Sequence, residues 1–99
     1  MIVELTAAAE ADLESIGDYI ARDNPVRAAS FVRELYRNCL DIAGMPEAWP
    51  VVPRYEHYGI RRRVHGRYLI FYRVGTGRIT ILHVLNGAMD VEAILFPGG

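Results

Sequence analysis

The chain has 99 residues, is 52% hydrophobic and 23% charged, and carries a formal net charge of −1 at pH 7. That length points to one small domain over residues 1–99 with a modest core, and that composition excludes wholesale disorder. No run of about 18 apolar residues is present to span a membrane, and a lone cysteine, Cys39, excludes an internal disulfide.

Ile2–Leu5 is short and β-compatible, which predicts a strand. It is too short for a signal peptide and has an acid where basic residues belong, so a cytoplasmic protein is expected. Thr6 suits the N-cap of a first helix over residues 7–22, where Ala9, Leu13, Ile16 and Ile20 form one stripe. Glu10, Asp12, Glu14 and Asp18 leave its other side acidic, and Gly17 marks a weak spot or a place of close packing. Asp23-Asn24-Pro25 stops that helix and starts another, with Asn24 as cap and Pro25 in the first turn. The second helix runs to Ala43 on a stripe of Ala28, Val32, Leu35, Cys39 and Ile42, with Phe31 and Tyr36 beside it. Gly44 and Met45-Pro46 end it, and the short link between the helices predicts an antiparallel hairpin.

Residues 45–59 form a connector with three prolines, and its aromatics Trp49, Tyr55 and Tyr58 predict packing against the body. Three strands follow: Ile60–Val64, a tight turn at His65-Gly66, Arg67–Val74, a second turn at Gly75–Arg78, and Ile79–Leu85. Asn86-Gly87 breaks the last strand, and Asp90–Leu95 reads as one helical turn or an extended tail. The predicted class is α+β: a strand, an antiparallel helical hairpin, then a three-stranded antiparallel meander with a short C-terminal turn or tail.

Two of these strands are apolar on nearly every residue, whereas a strand with one wet face alternates. With two-residue turns, or four-residue turns of the same register, one face carries Ile60, Arg62, Val64, Leu69, Phe71, Arg73, Thr80, Leu82 and Val84. The other carries Arg61, Arg63, Tyr68, Ile70, Tyr72, Val74, Ile79, Ile81, His83 and Leu85. The hairpin covers one face. The other is left either for a partner or for the connector and tail to fold over.

Charge is unevenly spread: residues 1–53 hold nine acids and four arginines, net −5, and residues 54–99 hold three acids and seven arginines, net +4. Every cation other than histidine is Arg, the residue suited to bidentate pairing with carboxylates and phosphates. His57, His65 and His83 are scattered, and no metal-ligand spacing, nucleophile elbow or phosphate loop occurs, so no metal and no cofactor is expected. A metal-free ribonuclease would need an acid/base pair and cations near a phosphate, for which Tyr72, His83 and Arg61 are the available parts. A buried Tyr and a surface arginine strip account for the same residues without chemistry.

The element order, with Ala11-Asp12-Leu13-Glu14-Ser15-Ile16, Asn24-Pro25, Ala28-Ala29-Ser30-Phe31, Gly59-Ile60-Arg61-Arg62, Gly66-Arg67-Tyr68, Phe71-Tyr72-Arg73-Val74 and Ile81-Leu82-His83-Val84-Leu85-Asn86-Gly87, resembles the ParE branch of the RelE/ParE toxin superfamily. The resemblance implies the toxin half of a type II toxin–antitoxin pair, neutralised by a ParD-like antitoxin whose tail folds on it. DNA would be contacted through the antitoxin. ParE-like members are associated with inhibition of DNA gyrase and RelE-like members with ribosome-dependent mRNA cleavage. Leu69 stands where ribonuclease members carry a basic residue, and Asn86-Gly87-Ala88-Met89 lacks the basic residue often found after the last strand. Both departures favour a poison that binds over one that cuts, with no catalytic residue assigned. The alternatives are a RelE-like endoribonuclease or a degenerate, non-toxic interaction module. The resemblance places Tyr68, Ile70 and Tyr72 on the helices, which leaves Ile60, Arg62, Leu69, Phe71, Arg73 and Leu82 as expected antitoxin contacts. Arg61, Arg63, Arg67 and His83 are the candidates for target binding.

Overall fold

The structure, a computed structural model, describes residues 1–98. The elements follow in the order β1 (Ile2–Leu5), α1 (Ala7–Ala21), α2 (Pro25–Asp41), a 3-10 turn at Ile42–Gly44, a second at Glu56–Tyr58, β2 (Ile60–His65), β3 (Tyr68–Gly75), β4 (Arg78–Asn86) and α3 (Val91–Leu95). The four strands make one sheet in the order β1-β4-β3-β2. The predicted strand, hairpin and meander are all present. Sequence patterning did not reveal that β1 joins the far strand β4, in parallel, with Ile2 opposite Arg78 and Leu5 opposite Ile81.

The helix ends form for the reasons their residues suggest. Thr6 Oγ1 accepts the Ala9 N–H at 3.0 Å, and Asn24 Oδ1 accepts the Arg27 N–H at 3.0 Å with Pro25 following. Each cap satisfies an otherwise orphaned donor and is worth roughly 1 kcal/mol. Gly17 is a point of close packing: a Cβ there would sit 3.2 Å from Val32 Cγ2. One core lies between the hairpin and the sheet, built from Leu13, Ile16, Leu35, Cys39, Ile42, Ile70, Tyr72, Ile79, Ile81 and Val84 among others. Burial pushes the Cys39 thiol up to about 12, so at neutral pH it is an inert apolar side chain.

Two details of register depart from expectation. The first hairpin turns at Gly66-Arg67, not His65-Gly66, because Gly66 supplies the positive φ of 60° that the turn requires; His65 pairs with Tyr68 and Arg62 with Phe71. The shift is two residues, so the faces of β2 are unchanged. Between β3 and β4 the register slips by one at Phe71/Tyr72: Tyr72 opposes Ile81, whereas Phe71 opposes His83 and Leu69 opposes Leu85. This β-bulge shifts the register of the rest of β4, from His83 to Asn86. Val84 joins the helix-side core and Leu85 the opposite one, the reverse of the expected placement.

A larger correction concerns the second face of the sheet. It is not open: Val52 and Tyr55 of the connector, together with α3 and Phe96, fold over Ile60, Leu69, Phe71, Leu82 and Leu85 to make a second core. Phe96 stacks on Tyr55 at 3.9 Å between ring centroids. Glu92 of α3 accepts from Arg54 Nη2 at 2.7 Å and from the Tyr55 hydroxyl at 3.4 Å. The outer edge of β2 is closed by the same connector, through Val52 N–H to Ile60 O at 2.8 Å and Arg62 N–H to Pro50 O at 3.0 Å.

Candidate functional site

The residues expected to bind an antitoxin divide under this arrangement. Ile60 is 3% exposed and Phe71 0%, so both belong to the second core rather than to a free surface. Leu69, Leu82 and Arg62 are half-buried, and Arg73 is exposed, with its Nε donating to Tyr58 O at 3.3 Å.

The expected target-binding residues divide as well. Arg61 donates to Trp49 O at 2.6 Å and Glu47 O at 3.3 Å. Arg63 donates to Asn38 O of α2 at 2.9 Å and lies 4.4 Å from the Trp49 ring centroid. Both therefore tie β2 to the connector and to the last turns of α2, where cations meet carbonyl groups favourably. Part of the positive charge of the C-terminal half is structural. Arg67 is exposed at the β2–β3 turn.

His83 is half-buried and its Nδ1 lies 2.8 Å from Asp12 Oδ2. The same carboxylate oxygen accepts the Val84 N–H at 2.9 Å, and Thr6 Oγ1 donates to Leu82 O at 2.9 Å. Two side chains near the start of α1 thus bond backbone groups of β4 just past Ile81, where its pairing with β1 ends. This contact was not legible in the sequence, where Asp12 counts as one more acid on a wet face. Replacing Asp12 with Ala should cost about 2–3 kcal/mol, since two hydrogen bonds to one carboxylate are lost and a helix-propensity gain of about 0.5 kcal/mol offsets little of it. Asp12→Asn, which keeps an acceptor for Val84, should lose less. Urea unfolding of the two variants checks the order; an Ala variant as stable as the parent would contradict the role given to Asp12.

Tyr72 is fully buried and its hydroxyl donates to Pro46 O at 2.7 Å. Burial raises its pKa, against the smaller opposing influence of Arg61. With its proton engaged and no access to solvent, Tyr72 is a packing residue that ties the connector to the sheet. The sheet sets Arg61 opposite Tyr72 and His83 opposite Phe71, but Arg61 Nη1 and the Tyr72 hydroxyl are engaged by connector carbonyls and His83 by Asp12, which leaves the trio tied into the fold.

Open surface lies instead on the hairpin beside β1. A groove of about 490 Å³, in which the carboxylates of Glu4 and Glu10 stand beside Val3, Leu5, Leu13 and Tyr36, is more polar than apolar. A second of about 350 Å³ shares Leu13 and Tyr36 with it and adds Val32, Arg33, Arg37 and Leu40. Tyr36 is 47% exposed and Leu40 41%. Arg33 and Arg37 on its rim form no ion pair among the described residues. The signal was present in α2: Tyr36 and Leu40 at i, i+4 form a second apolar line beside the core stripe, flanked by Arg33 and Arg37 at the same spacing. An apolar band wider than the sheet can cover, rimmed by unpaired cations, is the form a docking surface takes.

The family described as the ParE toxin of the type II toxin–antitoxin system, parDE, has a model that matches residues 3–91. No curated protein matches the chain. A solved structure described as the chromosomal ParDE TA system from P. aeruginosa is similar, with a TM-score of 0.76 at 22% identity, over 87% of this chain and 95% of that one. That likeness is one of fold, and it agrees with the strand, helical hairpin and meander found here. With a family match running from β1 into α3, the chain belongs to the ParE toxin family of type II toxin–antitoxin systems.

Proposed function

We propose that this toxin acts by binding DNA gyrase and is neutralised by a cognate ParD-like antitoxin docked on the hairpin groove. The observation that carries the docking is the basic-rimmed apolar groove of Leu13, Val32, Tyr36 and Leu40 with Arg33 and Arg37. A tail with apolar anchors and acidic residues suits that surface and folds as it binds. Arg62, Leu69, Arg73 and Leu82, at the margin of the capped sheet face, are retained as further antitoxin contacts. Ile60 and Phe71 are not, because they support the fold from inside it. Arg67, exposed at a turn, is the leading target-binding candidate of the original four.

Arg61 and Tyr72 are cross-strand neighbours and His83 opposes the adjacent Phe71, yet binding is favoured over RNA cleavage because the polar groups of this trio are already engaged within the fold. Tyr72 is sealed, Arg61 is bound to the connector, and Leu69 offers no charge. A supercoiling assay with purified toxin tests this reading. Gyrase should be inhibited by the toxin and restored by adding the antitoxin. Unimpaired supercoiling together with mRNA cleavage in toxin-expressing cells would instead support the ribonuclease alternative.

A further inference from the structure

A third cleft, of about 350 Å³, opens on a different face of α1 and shares no residue with the grooves beside β1. Asp12, Ser15, Ile16 and Tyr19, at i, i+3, i+4 and i+7 of the helix, form one wall, and the end of β4 with Tyr68 and Met89 forms the other. β1 ends at Leu5 opposite Ile81, so past that point the outer side of β4 has no strand beside it. Gly87 N–H donates to Arg67 O at 2.8 Å. Alternation along the antiparallel ladder then turns Leu85 and His83 toward β3, and Val84 and Asn86 away from it. The Val84 N–H agrees, since it goes to Asp12 of α1. The Val84 C=O points the same way as its own N–H, and the Asn86 N–H follows two residues on along the same edge. Neither group has a hydrogen-bond partner among the described residues. The groups on either side are taken: Leu82 O accepts from Thr6 Oγ1 at 2.9 Å, and Asn86 O accepts the Met89 N–H at 3.0 Å. The free edge is therefore one acceptor and one donor long, and it faces the cleft.

We propose that this cleft is a binding site for an adenine base, carried by a nucleoside. An acceptor and a donor two residues apart on a strand edge match the edge of adenine. The exocyclic amino group donates to Val84 O, and the neighbouring ring nitrogen accepts from the Asn86 N–H. An extended peptide fits poorly, because Thr6 and Asp12 close this edge on one side and the turn at Gly87–Met89 closes it on the other. A flat heterocycle needs no longer edge. Its faces meet Ile16, Tyr19 and Met89, and base–aromatic stacking tolerates an open site. Tyr19 is 66% exposed and Met89 48%, apolar surface that a stacked base would cover. Arg22 lies 5.8 Å from the centroid of the Tyr19 ring, outside the lining of the cleft. For the sugar hydroxyls the polar groups at hand are Ser15 Oγ and Asp12 Oδ1, the carboxylate oxygen that neither His83 nor Val84 uses. No cation lines the cleft, and α1 adds Glu10, Glu14 and Asp18, so a phosphodiester strand is the poorer source of the base. The inference stands apart from the choice of toxin target.

Titration of the full-length toxin with adenosine, followed by residue-resolved NMR, tests the inference. The Asn86 amide should shift downfield and saturate, with a dissociation constant of the order of 0.1 mM for a ligand of this size. Adenosine dimethylated on its exocyclic nitrogen offers Val84 O no donor and should bind about tenfold more weakly or worse. Tyr19→Ala empties no core and should weaken adenosine by about tenfold while its circular dichroism stays that of the parent. Absence of a saturable Asn86 shift at millimolar adenosine would overturn the site. Binding of the dimethylated nucleoside or of uridine as tight as that of adenosine would overturn the recognition of adenine through the strand edge. A single-stranded oligodeoxyadenylate that binds more tightly than adenosine would overturn the nucleoside assignment in favour of a nucleic-acid strand.

Discussion

Replacing Phe71 with Ala should destabilise the isolated toxin by about 3–5 kcal/mol, the cost of removing a buried aromatic and leaving a cavity. Phe71 is 0% exposed and packs in a core with Val52, Ile60, Leu85 and Phe96, all buried. Against a total stability of roughly 5–15 kcal/mol for a chain of this size, that loss takes much of the margin. Phe71→Leu, which keeps most of the volume, should cost less. Urea unfolding of the antitoxin-free toxin separates this outcome from the open-face expectation, under which Phe71 is a solvent-exposed anchor whose truncation costs well under 1 kcal/mol. A small loss would mean that Val52, Tyr55 and α3 do not hold the second face in solution.

Tyr36→Glu should have the opposite signature, with little change in stability and a large loss of antitoxin affinity. Tyr36 sits on the outer side of α2 with nearly half its surface exposed, so its replacement empties no core. The new carboxylate would lie near Arg33 and Arg37, which keeps the helix electrostatically content. For a docked partner, however, an aromatic anchor is lost and an acid is set among apolar contacts. A cost of about 2 kcal/mol or more follows, roughly thirtyfold in affinity. Calorimetric titration with the antitoxin reads the affinity, and thermal melting checks that the fold is intact. An affinity equal to the parent's would move the docking site off the groove. Parallel loss in Arg62→Ala and Arg73→Ala variants would place it at the margin of the capped face instead.

The proposed gyrase and antitoxin contacts make different demands on the same chain. The groove beside β1 draws on the acidic N-terminal half, where Arg33 and Arg37 are local exceptions. The exposed cations of the sheet half, Arg67 and Arg73, lie on other elements. Variants in each region, read separately against antitoxin affinity and supercoiling, therefore separate the two proposed contacts.

Local features were legible in the chain itself. Thr6 and Asn24 announce helix starts because a short polar side chain caps the orphaned N–H groups there, and Gly66 and Gly77 announce turns because the backbone needs positive φ. The apolar stripes of α1 and α2 follow from a period of 3.6 residues, and the doubly apolar strands signal a second apolar face, expected to await a partner but covered by the chain's own connector and α3. The identity of the second cover was decided only in three dimensions. A five-residue helix with Val91, Ile94 and Leu95 has no periodic signal of its own, and its place over Phe71 depends on Glu92 meeting Arg54 and Phe96 meeting Tyr55 across the chain. The one-residue slip in β4 was equally invisible. Beside it, Thr6 and Asp12 bond the backbone of Leu82 and Val84 across separations of 76 and 72 residues, beyond the reach of any local pattern. Sequence by itself determined the elements and their class, since capping, turn chemistry and hydrophobic period act within a few residues. Tertiary structure alone decided which surface stays open, since the joining of β1 to β4, the folding of α3 over the sheet and the exposure of Tyr36 and Leu40 depend on contacts between distant parts of the chain.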